Sequence, residues 1–251
     1  MAGHSHWAGI KHKKAKEDKR RGKIFSRITK QIMTAVRQHN DKNPDTNLEL
    51  KYAIEDAKDA NMPKDNIERA ILKGAGELEG QEVEPVRYEG YGPGGAAVMV
   101  DALTDNRNRT TSHVRKIFET HGGEMGTNGC VSWMFETRGL ILLSLNGRAE
   151  EEVFDVAVEA GAEDFQEAGE AYELTCSPTD LEAVKQALQQ ADIEWESAEI
   201  TQMPQGYVDL DVDDGRKMLE LMDEMEDDED VTNVYSNFNL PPELVAEMDE
   251  E

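Results

Sequence analysis

The sequence predicts a multidomain α and α+β fold: an N-terminal three-helix domain, then an α+β domain with a ferredoxin-like domain inserted into it. Three observations predict it. Apolar residues recur at helical spacing from Lys23 to about Gly74. Glycine-punctuated strand patterns replace them after Gly80. A strand-helix-strand-strand-helix-strand run then occupies residues 139–202, with strand and helix patterns on both sides of it.

Residues 1–22 carry many cations and few apolar anchors, and are expected to form a basic arm. The helical domain spans 23–79. Ile24, Phe25, Ile28, Ile32 and Val36 mark its first helix, and Pro44 breaks the loop that follows. Leu48, Ala53, Ile54 and Ala57 mark the second; Ile67, Ala70 and Ile71 mark the third, after the turn Asn61-Met62-Pro63. Asp65 and Glu68 suggest a capping box for the third helix, and Gly74 its C′ residue.

The α+β domain is assigned to residues 80–136 and 204–251. Val83–Tyr91 and Ala96–Leu103 read as strands joined through Gly92-Pro93-Gly94-Gly95. A hairpin explains these glycines better than a phosphate loop, because a strand follows and no Gly-Lys-Ser/Thr does. Asp105 is expected to cap a helix with the stripe Val114, Ile117, Phe118 and His121, and Val131–Phe135 to form a strand. The inserted ferredoxin-like domain covers 137–203: Leu140–Leu145, Glu150–Ala160, Asp164–Glu167, Ala171–Cys176, a helix opened by Pro178, and Ile193–Ile200. Tyr207–Val212 then alternates as a strand, Met218 to Met225 line a helix, and Val231–Phe238 is a strand.

Charge supplies the functional clue. Of a net −26, residues 1–42 hold 12 Lys/Arg against 3 acids, a local +9 that leaves −35 for the remainder. Such a split points to nucleic acid contacted from one end. The candidate contacts are Lys11, Lys13, Lys14, Lys16, Lys19, Arg20, Arg21 and Lys23, joined by Arg107, Arg109 and Lys116 on the helix after Asp105. Arg107 falls in line with Val114 and is expected to extend the buried stripe. Arg109 falls in line with Lys116 and is expected to face solvent, so that Arg109→Glu weakens binding without lowering the melting temperature.

The second and third helices pass for a helix-turn-helix, yet Asp65 and Glu68 would turn acid toward a polyanion. That disfavours base reading in duplex DNA and leaves RNA contacts by the arm open. Enzyme chemistry is not expected: Gly-x-Ser-x-Gly and His-Glu-x-x-His are both absent, and His4 and His6 have no third ligand nearby. Asp209, Asp211, Asp213 and Glu220 have calcium-loop spacing, but the turn glycine, Gly215, comes one place late. A metal-dependent hydrolase built on these carboxylates is the distant alternative. The seven acids among residues 223–230 read as a solvated turn, or more sharply as a shield for the arm. Two cysteines, no signal-peptide core and no membrane-length apolar run suggest a soluble cytoplasmic protein with no membrane partner.

Several stretches together are similar to the YebC/PmpR family: Ala2-Gly3-His4-Ser5-His6-Trp7, Arg21-Gly22-Lys23-Ile24-Phe25, Asn61-Met62-Pro63-Lys64-Asp65, Tyr88 to Gly95, Leu103 to Thr110, and His121-Gly122-Gly123. The resemblance implies an α-helical first domain, and a second α+β domain carrying a ferredoxin-like third domain as an insertion. It also implies DNA-binding transcriptional regulators or translation factors acting on the ribosome, a mitochondrial translational activator among them, with no catalytic residues and no cofactor. The partner expected is thus nucleic acid, DNA or ribosomal RNA, with the ribosome as the larger assembly in the second case. Because the motif begins at Ala2, no presequence is expected. The chain departs from many relatives at His6, Gly9 and residues 39–43, which bears on details of arm contacts.

Overall fold

In the first helix, α1 (Arg21–His39), Ile28, Ile32 and Val36 turn to one buried side. The computed structural model to which it belongs describes residues 21–77, 83–144, 150–168, 171–228 and 230–249. The expectations for Lys11, Lys13, Lys14, Lys16, Lys19 and Arg20 lie outside the described residues, as do those for the side chains of Arg21 and Lys23.

Helix α2 (Leu48–Asp59) begins at Asn47, whose Oδ1 accepts the Leu50 N–H at 3.1 Å. The same side chain donates from Nδ2 to the carbonyls of Ala35 and Asp41, at 2.9 and 2.8 Å, which ties the loop back onto α1. Asn61, at φ 58°, then reverses the chain, and the Met62 N–H donates to Ala57 O at 2.8 Å. Met62 is thereby buried, and Pro63 sits at the cap of α3 (Lys64–Gly74), where its missing N–H costs nothing.

Two expectations for α3 need correction. No capping box forms: Pro63 holds the cap position, and Glu68 pairs with Lys64 instead, at 3.6 Å. Nor is Gly74 the C′ residue. That place belongs to Gly76 at φ 71°, with the Glu77 N–H donating to Leu72 O at 2.9 Å. Gly74 is small for a different reason, since a Cβ there would meet Met33 O of α1 at 2.9 Å. The bundle core gathers Ile32, Val36, Leu50, Ala57, Ile67 and Ala70, and includes Leu103 from the sheet beyond.

That sheet joins β1 (Glu84–Tyr91), β2 (Ala97–Thr104), β3 (Glu124–Met125) and β9 (Val231–Ser236) in the antiparallel order β3-β1-β2-β9. β2 is buried along nearly its whole length, which its apolar run anticipates. Arg87 and Asp101 face each other across β1 and β2 and make a two-pronged ion pair at 2.6 and 2.8 Å. Helices α4 (Arg107–Thr120) and α7 (Val212–Asp227) pack against this sheet and against each other.

The expected strand Val131–Phe135 does not form. Glu89, only 4% exposed, accepts the N–H groups of Gly129, Val131 and Ser132 at 2.8, 2.9 and 2.8 Å. Those donors are spent on a carboxylate rather than a ladder, and Ser132–Met134 is a 3₁₀ turn. Burial pushes the Glu89 carboxyl up, but the three backbone bonds outweigh it and hold the group below its ordinary value.

By contact the chain divides into two compact units, one comprising Phe135–Tyr207 and the other the described residues before and after it. The Phe135–Tyr207 unit contains β4 (Phe135–Leu143), α5 (Glu150–Glu159), β5 (Ala162–Ala168), β6 (Ala171–Cys176), α6 (Leu181–Gln190) and β7 (Ser197–Pro204), with sheet order β5-β6-β4-β7 and every pairing antiparallel. Ile141, Leu143, Leu174, Val153 and Leu188 form its core. The last strand starts later than expected, because Asp192 at φ 55° ends α6 and the Ile193 N–H is donated to Leu188 O at 2.9 Å. Glu173 sits mid-sheet, opposite Leu142 and Gln166, 4% exposed and with Oε2 lacking any hydrogen-bond partner.

After this unit, the alternation Tyr207–Val212 yields only β8 (Val208–Asp209), paired in parallel with β10 (Phe238–Asn239). Asp211 caps α7 by accepting the Asp214 N–H at 2.9 Å, so Val212 is helical. A final helix, α8 (Pro242–Asp249), was not anticipated; Leu244 anchors it. The fold is mixed α+β with two four-stranded antiparallel sheets and one short parallel pair, and no helix among the described residues is long and apolar enough to cross a membrane.

Candidate nucleic-acid interface

Helix α4 carries the described candidates. Its cap is Asn106 rather than Asp105: Asn106 Oδ1 accepts the Arg109 N–H at 3.1 Å, while the Asn106 N–H is donated to Thr104 Oγ1 at 2.9 Å. The buried stripe consists of Thr110, Val114, Ile117 and Phe118. Thr110 opens it because its hydroxyl is held by Thr104 at 2.7 Å and by Asp230 at 2.7 Å. Arg107, expected to extend the stripe, is exposed.

Arg109 is exposed by area, yet its guanidinium is engaged. It bonds Asp105 at 2.9 Å and Asp230 at 2.7 Å. Asp230 also lies 3.6 Å from Lys30 of α1, so one carboxylate gathers α1, β2 and α4. Burial pushes the Asp230 carboxyl up; the bonds from Arg109 and Thr110, with the charges of Lys30 and Arg109, pull it below its ordinary value. Its contribution to stability is therefore present at neutral pH and lost as pH falls through that lowered value.

Around this node is a cavity of about 590 Å³, lined among others by Ser26, Lys30, Asp105, Arg109, His113 and Asp228. His113 pairs with Asp228, and His121 lies 2.6 Å from Glu224 and 3.6 Å from Glu220. The acidic run is thus no solvated turn: it is helical to Asp227, and Glu224, Asp228 and Asp230 pair with a cation or histidines on α4 or at its end. Glu220 and Glu224 of α7, with Asp228 just past its end, follow one flank of α4, and Asp230 closes the row. His121 is a helix-end residue in an acidic pairing. Arg107, Lys116 and Arg115 make no ion pair among the described residues, and all three are exposed. Arg115 was not among the expected contacts, although its spacing of three from Ser112 and four from Glu119 puts it on an exposed polar side of α4.

The expected result of Arg109→Glu changes accordingly. A third carboxylate beside Asp105 and Asp230 should lower the melting temperature of the full chain, and Asp230→Lys in the same molecule should restore part of it. Arg107→Glu should shift melting far less. Thermal melts of the three variants at low salt check this, and an unchanged Arg109→Glu melt would remove the brace.

Residues 5–77 match the N-terminal domain of TACO1/YebC proteins, and residues 83–238 match the TACO1/YebC second and third domain. A probable transcriptional regulatory protein of Desulfosudis oleivorans is 50% identical over 240 residues, 96% of this chain and 97% of that one. Another from Elusimicrobium minutum is 47% identical over 249 residues, 99% of each. The crystal structure of a conserved hypothetical protein from Aquifex aeolicus superposes with a TM-score of 0.83 at 49% identity, covering 94% of this chain and 98% of that one. The chain belongs to the TACO1/YebC family.

Proposed function

We propose that this protein is a cytoplasmic, non-enzymatic regulator of gene expression that binds nucleic acid through its basic N-terminal arm. The observation that carries the reading is the charge split, +9 over residues 1–42 against −35 for the rest. The acidic body repels phosphate, so contact is made through the arm, and Lys11, Lys13, Lys14, Lys16, Lys19, Arg20, Arg21 and Lys23 supply it. Arg107 and Lys116, together with Arg115, extend the contact along α4, whereas Arg109 acts as a brace. The relatives' description as probable transcriptional regulatory proteins supports the regulatory part of this reading.

The domain arrangement proposed with it is a helical domain, an α+β domain, and a ferredoxin-like domain at residues 137–203 inserted into the latter. The strand order β5-β6-β4-β7, with helices after β4 and β6, supports it. A second reading, ribosome association through RNA, is favoured by Asp65 in the first turn of α3, which suits a duplex major groove poorly.

Removing residues 1–21 tests the proposal. With about six phosphate contacts, the full chain should lose affinity with a log–log salt slope of roughly −4 on single strands and −5 on duplex. The truncated chain should bind neither, while its melting temperature stays close to that of the full chain. Ribosome cosedimentation beside duplex binding at matched salt separates the two targets. Equal affinity with and without the arm would sink the proposal.

A further inference from the structure

The Glu89-braced loop ends in an exposed aromatic pair. Trp133 is 67% exposed and Tyr91 38% exposed, and both reach the same acceptor. The Trp133 indole N–H donates to Cys130 O at 3.0 Å, and the Tyr91 hydroxyl donates to that oxygen at 3.2 Å. A carbonyl oxygen has two lone pairs, so this one is fully used. The hydrogen-bond donor of each ring is consumed inside the protein, and what remains for a partner is ring surface and the acceptor side of the Tyr91 hydroxyl.

The rings are also held in place beforehand. Gly129, Val131 and Ser132, on either side of Cys130, are anchored to the buried carboxylate of Glu89. A partner therefore bears little cost of ordering the loop. Among the described residues of their own unit, Tyr91 and Trp133 are the large apolar side chains that stand exposed; Phe154 and Val158 belong to the Phe135–Tyr207 unit. Two flat rings are by themselves too small for the centre of a protein–protein interface, which needs a wide patch to exclude water. They match the dimensions and chemistry of one or two unpaired bases.

We propose that Tyr91 and Trp133 form a stacking platform for unpaired nucleobases, engaged when the basic arm holds a single-stranded segment. The inference rests on the nucleic-acid reading above and adds a second element to it. Because neither ring has a donor left to read base edges, the platform is tolerant of sequence. It discriminates instead between unpaired and paired strands, since a base inside a duplex hides both its faces.

The test uses the full chain with Trp7→Phe and Trp195→Phe, leaving Trp133 as the sole tryptophan. A short oligothymidylate and a duplex of equal length are titrated at the same low salt. Binding is read by anisotropy of the labelled nucleic acid, and stacking by Trp133 emission. The single strand should quench Trp133 and the duplex should bind without quenching it. In the otherwise native chain, Trp133→Ala should weaken single-strand binding about tenfold. Trp133→Phe should recover most of that loss, and neither should move the melting temperature. Single-strand binding with unaltered Trp133 emission, and Trp133→Ala at native affinity, would overturn the platform while leaving the arm reading intact. No anisotropy change with either nucleic acid would overturn both.

Discussion

Glu173→Gln is expected to raise the melting temperature of the Phe135–Tyr207 unit near pH 8 and to flatten its dependence on pH. Burial, reinforced by the negative charge of Asp164, pushes the Glu173 carboxyl up to about 8. Below its ordinary value, near 4.5, the group is protonated in folded and unfolded chains alike and costs nothing. As pH rises further the unfolded chain ionises and the folded one does not, which draws the equilibrium toward unfolding by about 1.4 kcal/mol per pH unit. The loss ends only where the folded group itself ionises, near pH 8, by which point it reaches several kcal/mol. Glutamine has nearly the same shape and no charge to lose. Its amide meets the same lack of partners, so at pH 5 the variant should be level with the native chain or slightly weaker. Paired melts from pH 5 to 8 decide the matter, and parallel profiles for the two proteins would refute a neutral buried carboxyl.

Glu89→Ala should produce the other large effect, a loss of about 3–5 kcal/mol, because three backbone N–H groups lose their acceptor while staying enclosed. Glu89→Gln, which keeps an acceptor oxygen without charge, should fall between the two. The native carboxyl lies below its ordinary value, so its contribution holds at neutral pH and disappears as pH falls through the lowered value. Denaturant titration at neutral pH measures the loss, and in the Trp7→Phe, Trp195→Phe background Trp133 emission reports whether the loop has changed. A loss under about 1 kcal/mol would mean that water or a shifted loop satisfies those donors as well as Glu89 does.

These two carboxylates also show where sequence reading runs out. Helical spacing located α1, α2 and α3, and apolar runs located β1, β2 and β6, because those signals are local. Val131–Phe135 looked like a strand because nothing near it reveals that Glu89, some 40 residues earlier, takes its donors. Tyr207–Val212 alternates convincingly, yet a cap at Asp211 overrides alternation within two residues. Gly74 and Gly76 are indistinguishable as letters; one answers to a neighbouring helix and the other to a dihedral angle.

The site divides in the same way. Helical spacing put Lys116 on the solvent side of α4, where it stands, but it put Arg107 in the buried stripe, and Arg107 is exposed. What neutralises Arg109 is Asp230, 121 positions later, beyond the reach of any helical wheel. The acidic run was recognised as a feature, but its pairing with His113 and His121 depends on α7 lying beside α4.

The pairing of β2 with β9, which sets Val98 opposite Ser236, has a consequence for how the chain is made. Synthesis runs from the N-terminus, so β1 and β2 emerge long before β9, and the apolar ladder of β2 has an open edge in the interval. Residues 135–207 lie wholly within that gap. Folding early, they shorten the loop that must close and reduce its entropic cost. Asp230 arrives with β9, so the brace on Lys30 and Arg109 closes only as the sheet does. A nascent chain halted between residues 208 and 230 would carry an intact bundle beside an unpaired apolar strand. Such an edge invites pairing with a neighbouring chain.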